Sequence, residues 1–92
     1  MGPEAKIEKA ICDYAKSKGF YVRKFKSPGQ RAVPDRIFIS PSGGVFFIEF
    51  KASGKTPTKL QYREINIIRN HNVKAYWTDD IKDGIKLVEA YL

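Results

Sequence analysis

The sequence contains very little cysteine or histidine. Cys12 is the only cysteine and His71 the only histidine among 92 residues. A disulfide framework within the chain and a multi-cysteine zinc site are therefore excluded. No apolar run approaches the roughly 18 residues that a membrane span needs, and the opening MGPEAKIEKA lacks the apolar segment of a secretory signal. We expect a soluble protein in a reducing, cytoplasmic setting, folded as a single domain over residues 1–92.

Acidic residues are also scarce, and the imbalance is uneven along the chain. Seventeen Lys and Arg face ten Asp and Glu, which gives a net charge of +7. Between residues 16 and 36 the only acid is Asp35, and the bases there are Lys16, Lys18, Arg23, Lys24, Lys26, Arg31 and Arg36. Such a patch matches a polyanion such as DNA. A solvated basic surface that only aids solubility is the alternative that charge alone leaves open.

The apolar pattern predicts seven elements in the order α-β-β-β-α-β-α. Residues 3–18 and 56–72 have helical spacing, with Thr56 as a possible N-cap of the second helix, and Asp79 or Asp80 begins a short last helix. Strands are predicted at residues 20–25, 36–40, 45–53 and 73–78, and Pro41, Ser42, Gly43 and Gly44 form a hairpin turn. We expect an α/β domain with a mixed four-stranded sheet: an antiparallel meander, then a helical crossover to the fourth strand.

Three charged residues are expected to meet at the open end of this hairpin. Alternation along the strand puts Glu49 and Lys51 on one face, away from Phe50. Asp35, at the start of the preceding strand, lies roughly opposite them. Two adjacent carboxylates stay ionised only if a cation joins them, which is either Lys51 or a metal. Carboxylates that hold Mg²⁺ beside a lysine are suited to phosphodiester hydrolysis.

The same residues resemble a known motif. Pro34-Asp35, thirteen residues, then Glu49-Phe50-Lys51 looks like the signature of the PD-(D/E)xK nuclease superfamily. The chain is most similar to its small stand-alone VRR-NUC proteins of phages and bacteria, and it also resembles Holliday-junction resolvases. The resemblance implies a restriction-endonuclease-like fold and a Mg²⁺-dependent, structure-specific DNA endonuclease, often homodimeric, that acts on four-way junctions in a bacterial or phage-infected cell. Mn²⁺ is expected to substitute for Mg²⁺. Ala32 stands where many members have glycine.

Two helical residues extend the resemblance. Glu8 is similar to the helix 1 acid that completes the metal site with Asp35 and Glu49 in resolvases, and its spacing from Ile11 lets it face the sheet. Glu4 competes with Glu8 for that role. Gln61 is in line with apolar residues of the second helix, so it is expected to face the sheet and to resemble the VRR-NUC glutamine that assists catalysis.

The loop before Asp35 completes the expected site. Its hydroxyl, amide and guanidinium groups are suited to phosphate, and the predicted DNA contacts are Ser27, Gln30, Arg31, Lys24, Lys26, Arg36 and Lys55. The alternatives are a non-catalytic basic adapter domain with a nuclease-like fold, and a structural module in which Asp35, Glu49 and Lys51 form a buried ion network. His71 is expected to cap a helix or lie at the surface rather than bind a metal.

Overall fold

The computed structural model describes all 92 residues. Its elements in chain order are α1 (Pro3–Ser17), β1 (Tyr21–Lys24), β2 (Arg36–Ile39), β3 (Val45–Phe50), α2 (Lys59–Asn70), β4 (Lys74–Thr78) and α3 (Ile81–Glu89). The predicted element order is confirmed, and most strand ends fall within one or two residues of the prediction. The largest difference is in β3, which ends at Phe50, so that Lys51 is the first residue after the strand.

The four strands form one mixed sheet in the order β1-β2-β3-β4. The first three pair antiparallel and β4 runs parallel to β3. A parallel neighbour requires a crossover connection, and α2 provides it. The α/β architecture expected from the sequence is therefore present, with no helix of the length and apolarity needed to span a membrane.

The hydrophobic core lies between the sheet and the pair α1 and α3. Alternate residues of the central strands point to this side, and Phe38, Phe46, Ile48 and Phe50 are fully buried there. Phe38 and Phe46 stack with their ring centroids 4.9 Å apart. Because burial of such side chains is the main favourable term in folding, this layer fixes the strands that carry the charged residues.

The two core helices approach each other closely at Gly84 of α3. A Cβ atom built on this glycine would lie 2.1 Å from the Cδ1 atom of Ile11 in α1. No side chain fits at that distance, so the absence of one lets α3 lie directly on α1.

The second helix begins later than predicted. Its N-cap is Thr58 rather than Thr56. The hydroxyl of Thr58 accepts a hydrogen bond from the backbone N–H of Gln61, and the Gln61 side chain accepts one from the Thr58 N–H in return. This reciprocal capping box needs an amide or acid three residues after the cap, which Thr56 lacks and Thr58 has. The last helix is capped by Asp80, one of the two predicted residues.

Candidate active site

The hairpin brings Asp35 and Glu49 together across two strands. Arg36 of β2 is paired with Ile48 of β3, so the next pair outward is Asp35 and Glu49. Asp35 Oδ2 accepts a hydrogen bond of 2.8 Å from the backbone N–H of Phe50. This bond holds the aspartate against the end of β3 and fixes the direction of its carboxylate.

Glu49 is the most buried acid of the protein, with 3% of the residue exposed. Its Oε2 atom is 3.4 Å from the Nζ of Lys51 and accepts a hydrogen bond of 3.1 Å from the Nε2 of Gln61. The structure therefore brings together the four residues that sequence reasoning assigned to catalysis: Asp35, Glu49, Lys51 and Gln61.

Both carboxylates are held in an environment that disfavours their negative charge. Burial raises the pKa of Glu49 from 4.5 to about 7; the neighbouring Asp35 charge adds to the rise and Lys51 opposes it. Burial also raises the pKa of Asp35, although the Phe50 N–H lowers it, and the charges of Glu8 and Glu4 contribute to the rise. A bound cation would relieve this cost because it favours both ionised forms.

Gln61 connects the site to the start of α2. Its Oε1 accepts the Thr58 N–H at 2.9 Å, while its Nε2 donates to Glu49. The amide thus has one defined orientation, since only an oxygen can accept the N–H and only a nitrogen can donate to the carboxylate. Thr58 is a residue that sequence reasoning missed, although the Thr-x-x-Gln pattern was there to find it.

Glu8 lies near this pair but is turned to another partner. Its Oε2 accepts a hydrogen bond of 2.6 Å from the Nε of Arg36, and both side chains are about four-fifths buried. Glu4 is exposed on the first turn of α1. No group of three His, Cys, Asp or Glu side chains is arranged to hold a metal ion. Arg36, predicted as a DNA contact, is therefore occupied by an ion pair with Glu8.

A groove of about 380 Å³ opens beside Asp35. Five of the predicted DNA contacts line it, namely Lys24, Lys26, Ser27, Gln30 and Arg31, together with Glu8, Phe25, Val33 and Asp35. The loop is shaped by a tight turn, in which the Gln30 N–H donates to the Ser27 carbonyl, and by the Gln30 side chain, which accepts the Ala32 N–H. Phe25, which sequence reasoning missed, packs on Phe47 with centroids 4.9 Å apart and forms part of the groove wall.

Two other predicted residues lie outside the groove. Lys55 is exposed in the turn after β3, and Asp79 holds that turn by accepting the Gly54 N–H at 2.9 Å. His71 is the C-cap residue of α2, and its Nδ1 is 2.7 Å from the Ile67 carbonyl. His71 thus lies at the end of a helix, as expected from the sequence.

A Pro-Asp pair at the mouth of one strand, a Glu-x-Lys at the end of the next, and a mixed sheet flanked by helices define the PD-(D/E)xK class of nuclease folds. Among solved structures, one described as "VRR_NUC domain" superposes over all of both chains with a TM-score of 0.90 and 27% identity. A second, "VRR_NUC domain protein", has a TM-score of 0.80 over 98% of this chain and 88% of its own, and at 18% identity it shows the fold alone.

Sequence comparison gives a phage relative. The chain is 44% identical over 61 residues to "Putative nuclease p44" of Acyrthosiphon pisum secondary endosymbiont phage 1, a match that spans 66% of each chain. This chain therefore covers slightly less than two thirds of that protein. No protein-family model matches the chain. Taken together, these findings show that the chain has the fold of the VRR_NUC domain structures and is similar in sequence to a phage protein described as a putative nuclease.

Proposed function

We propose that the protein is a Mg²⁺-dependent DNA endonuclease that hydrolyses phosphodiester bonds, with branched DNA such as four-way junctions as its substrate. The observation that carries the proposal is the cluster at the hairpin end. The buried carboxylate of Glu49 and the partly buried carboxylate of Asp35, both with raised pKa values, lie beside the ammonium of Lys51. A purely structural role would not require two acids to be placed together where burial disfavours both charges.

The donor atoms fit a hard divalent cation. Mg²⁺ prefers carboxylate oxygens with waters and phosphate oxygens, and Asp35 and Glu49 supply the carboxylates. When bound, Mg²⁺ would activate a water and stabilise negative charge on the phosphoryl group. Lys51 orients the attacking water or neutralises charge in the transition state. Gln61 fixes the Glu49 carboxylate through its amide hydrogen bond. Mn²⁺ has similar ligand preferences and should substitute.

The groove beside Asp35 gives DNA a route to these residues. Lys24, Lys26 and Arg31 provide positive charge, and Ser27 and Gln30 provide hydrogen-bonding groups to phosphate. Lys55 lies in the turn just beyond Lys51 and adds a further positive charge for the DNA backbone. Arg36 is left out of the contact set because Glu8 occupies it.

The test is cleavage of labelled four-way junction, flap, duplex and single-stranded DNA with Mg²⁺, Mn²⁺ or EDTA. We expect metal-dependent cutting that Asp35→Asn abolishes while DNA binding is retained. Asp13→Asn, which removes an exposed acid of α1 paired with Lys9, is the matched control and should cut normally. Cutting by Asp35→Asn at the wild-type rate would refute the assignment, and the panel reports whether the junction is preferred.

Arg31→Ala tests the groove as the DNA surface. Binding should weaken for every DNA sequence alike, and the slope of log affinity against log salt should fall by about one, because one phosphate contact is lost. Lys82→Ala, an exposed lysine of α3 far from the groove in sequence, should leave that slope unchanged. Equal slopes for wild type and Arg31→Ala would remove Arg31 from the interface.

The second candidate is a DNA-binding adapter that keeps the nuclease fold without turnover. The ion pair between Glu8 and Arg36 favours it, because a third carboxylate is not directed at Asp35 and Glu49. Calorimetry of wild type and Glu49→Gln separates the two functions. If the protein is a nuclease, wild type binds Mg²⁺ or Mn²⁺ and Glu49→Gln does not. If it is an adapter, neither protein gives a heat of binding.

Resolution of a junction adds an assembly requirement. Two symmetric cuts on opposing strands need two active sites, and each chain offers one. A homodimer with a two-fold axis satisfies that requirement.

A further inference from the structure

The charged cluster has an aromatic neighbour on the side away from Asp35. β3 and β4 run parallel and end at the same edge of the sheet, where Glu49 is paired with Trp77. Just beyond this pair, the Lys51 N–H donates to the Thr78 carbonyl and holds the two strand ends together. Because neighbouring strands lie about 4.8 Å apart, Trp77 is only one strand spacing from Glu49.

Trp77 lies on the face of the sheet that α2 covers. Paired residues of neighbouring strands share a face, and on this face Glu49 accepts its hydrogen bond from Gln61 of α2. The next residue of the helix, Tyr62, packs edge-on against Trp77, with the ring centroids 6.4 Å apart and the planes at 89°. Tyr62 is 39% exposed and Trp77 is partly exposed. An aromatic pair that reaches solvent therefore lies beside the buried carboxylate.

A cleft of about 410 Å³ opens at the outer edge of β4, and Trp77 is part of its lining. The cleft straddles the strand, since Arg69 lines it from α2 and Asp83 and Lys86 line it from α3. Asp79 is a further lining residue, so the two acids balance the two bases. The volume falls in the range of about 300–1,000 Å³ that is typical of small-ligand sites. A phosphate would be repelled by the two carboxylates, whereas an uncharged ring would not.

We propose that Trp77, supported by Tyr62, stacks an unpaired base of the DNA substrate beside the scissile phosphate. Aromatic side chains bind single-stranded nucleic acid in this way, because every base has a π face. The carboxylate of Asp83 would accept a hydrogen bond from an exocyclic amino group of that base. Arg69 uses its Nε for the Ala75 carbonyl, and its terminal N–H groups would face the phosphate that follows the base.

The position of the cleft fits a DNA strand that passes the charged cluster. The groove beside Asp35 lies where β1 ends and β2 begins, and the cleft lies at β4 along the same edge of the sheet. Three strand spacings of about 4.8 Å separate β1 from β4, which is roughly 14 Å. Phosphates follow one another at about 3.4 Å along a DNA strand, so about four nucleotides cover this distance. One strand is therefore long enough to contact the groove, the carboxylates and the aromatic pair together.

This base site has a consequence for the choice of substrate. A base enters the cleft only after it leaves the duplex stack, and this costs least for a base that is already unpaired. DNA with an unpaired base beside the cut should therefore be preferred to a perfect duplex. The inference rests on the proposed function in taking DNA as the ligand, and it adds a physical reason for a preference among DNA structures.

The test uses Trp77 as its own reporter, because it is the only tryptophan of the chain. The full chain in EDTA is titrated with three labelled duplexes: one fully paired, one with an extra unpaired adenine, and one with an abasic residue in place of that adenine. We expect the unpaired adenine to quench the Trp77 emission by stacking, and this duplex to bind about tenfold more tightly than the other two. Equal quenching or equal affinity across the three duplexes would overturn the proposal and leave the β4 edge to another occupant, such as an extended peptide.

The outcomes also separate this inference from the proposed function. Quenching that depends on the unpaired base, without metal-dependent cleavage, would contradict the nuclease function and support the base site. Metal-dependent cleavage without such quenching would contradict the base site alone.

Matched variants then test the aromatic pair, with affinity measured by the fluorescence anisotropy of the labelled DNA. Trp77→Ala and Tyr62→Ala should lose most of the preference for the unpaired adenine, and Trp77→Phe, which keeps a ring, should retain part of it. The slope of log affinity against log salt should stay unchanged in Tyr62→Ala, because no phosphate contact is lost. Tyr21→Ala removes a ring that is 51% exposed on β1 and should keep the preference.

Circular dichroism checks that each variant is folded. If Trp77→Ala does not fold, Tyr62→Ala and Trp77→Phe still decide the question, since each retains one ring of the pair. A folded Tyr62→Ala with the full preference for the unpaired adenine, or an equal loss in Tyr21→Ala, would overturn the proposal.

Discussion

The burial of Glu49 has a consequence for stability that can be measured without any substrate. In the metal-free protein the pKa of Glu49 is raised from 4.5 to about 7. Between these two pH values the folded state therefore keeps a proton on Glu49 that the unfolded state has released. The stability contributed by this group is fully present below pH 4.5 and is lost as pH rises through 7. Between these values the free energy of unfolding should fall by about 1.4 kcal/mol per pH unit.

The matched variant is Glu49→Gln, which keeps the size of the side chain and an acceptor for the Gln61 amide but cannot ionise. Each unit of pKa is worth about 1.36 kcal/mol. The difference in unfolding free energy between wild type and Glu49→Gln should therefore shift by about 2.5 kcal/mol from pH 5 to pH 8, in favour of the variant at the higher pH. Glu64→Gln removes from α2 a charge that forms no salt bridge. The unfolding free energy of this variant should change with pH in parallel with that of wild type.

Urea unfolding in EDTA at pH 5, 6, 7 and 8 measures this difference directly. Adding Mg²⁺ at pH 8 should then stabilise wild type and leave Glu49→Gln unchanged, because a ligand that binds only the folded state raises its stability. If wild type and Glu49→Gln change in parallel with pH in EDTA, the Glu49 carboxylate is not desolvated and the reasoning fails.

Two further substitutions test the packing around the site. Gln61→Ala should lower the unfolding free energy by about 1–2 kcal/mol more than Thr58→Ala. Both variants lose the cap of α2, but only Gln61→Ala leaves the buried Glu49 without its amide donor. Urea unfolding compares the two variants, and equal losses would mean that the amide contributes nothing to the stability of Glu49. Gly84→Ala should destabilise the folded protein by about 1–3 kcal/mol, since the added Cβ would clash with Ile11. Adding Ile11→Val to the same chain should recover part of the loss. A Gly84→Ala variant as stable as wild type would show that α3 shifts freely on α1.

The hairpin and its charges were predictable because every signal for them is local. Turn residues, strand alternation and the spacing from Asp35 to Glu49 require only a few neighbouring residues to be read together. The side on which Gln61 lies followed from helical periodicity in the same way, and the structure confirms it.

The partner of Glu8 was not predictable by such means. Periodicity indicates that Glu8 faces the sheet, but it meets Arg36, a residue 28 positions away, only because the tertiary packing places α1 within side-chain reach of the start of β2. The start of α2 was misassigned for a related reason. Two threonines flank Pro57, and the choice between them depends on the side-chain bond that Gln61 makes.

The capping box of α2 also determines how the site moves. Helix ends open more readily than helix centres, and the first turn of α2 is held by the bonds between Thr58 and Gln61. When this turn frays, the amide leaves Glu49 at the same moment, so local unfolding and disassembly of the charged cluster are one event. Amide hydrogen exchange at Gln61 should therefore report the opening rate of the cluster, and a cation that holds Glu49 in place should slow that exchange.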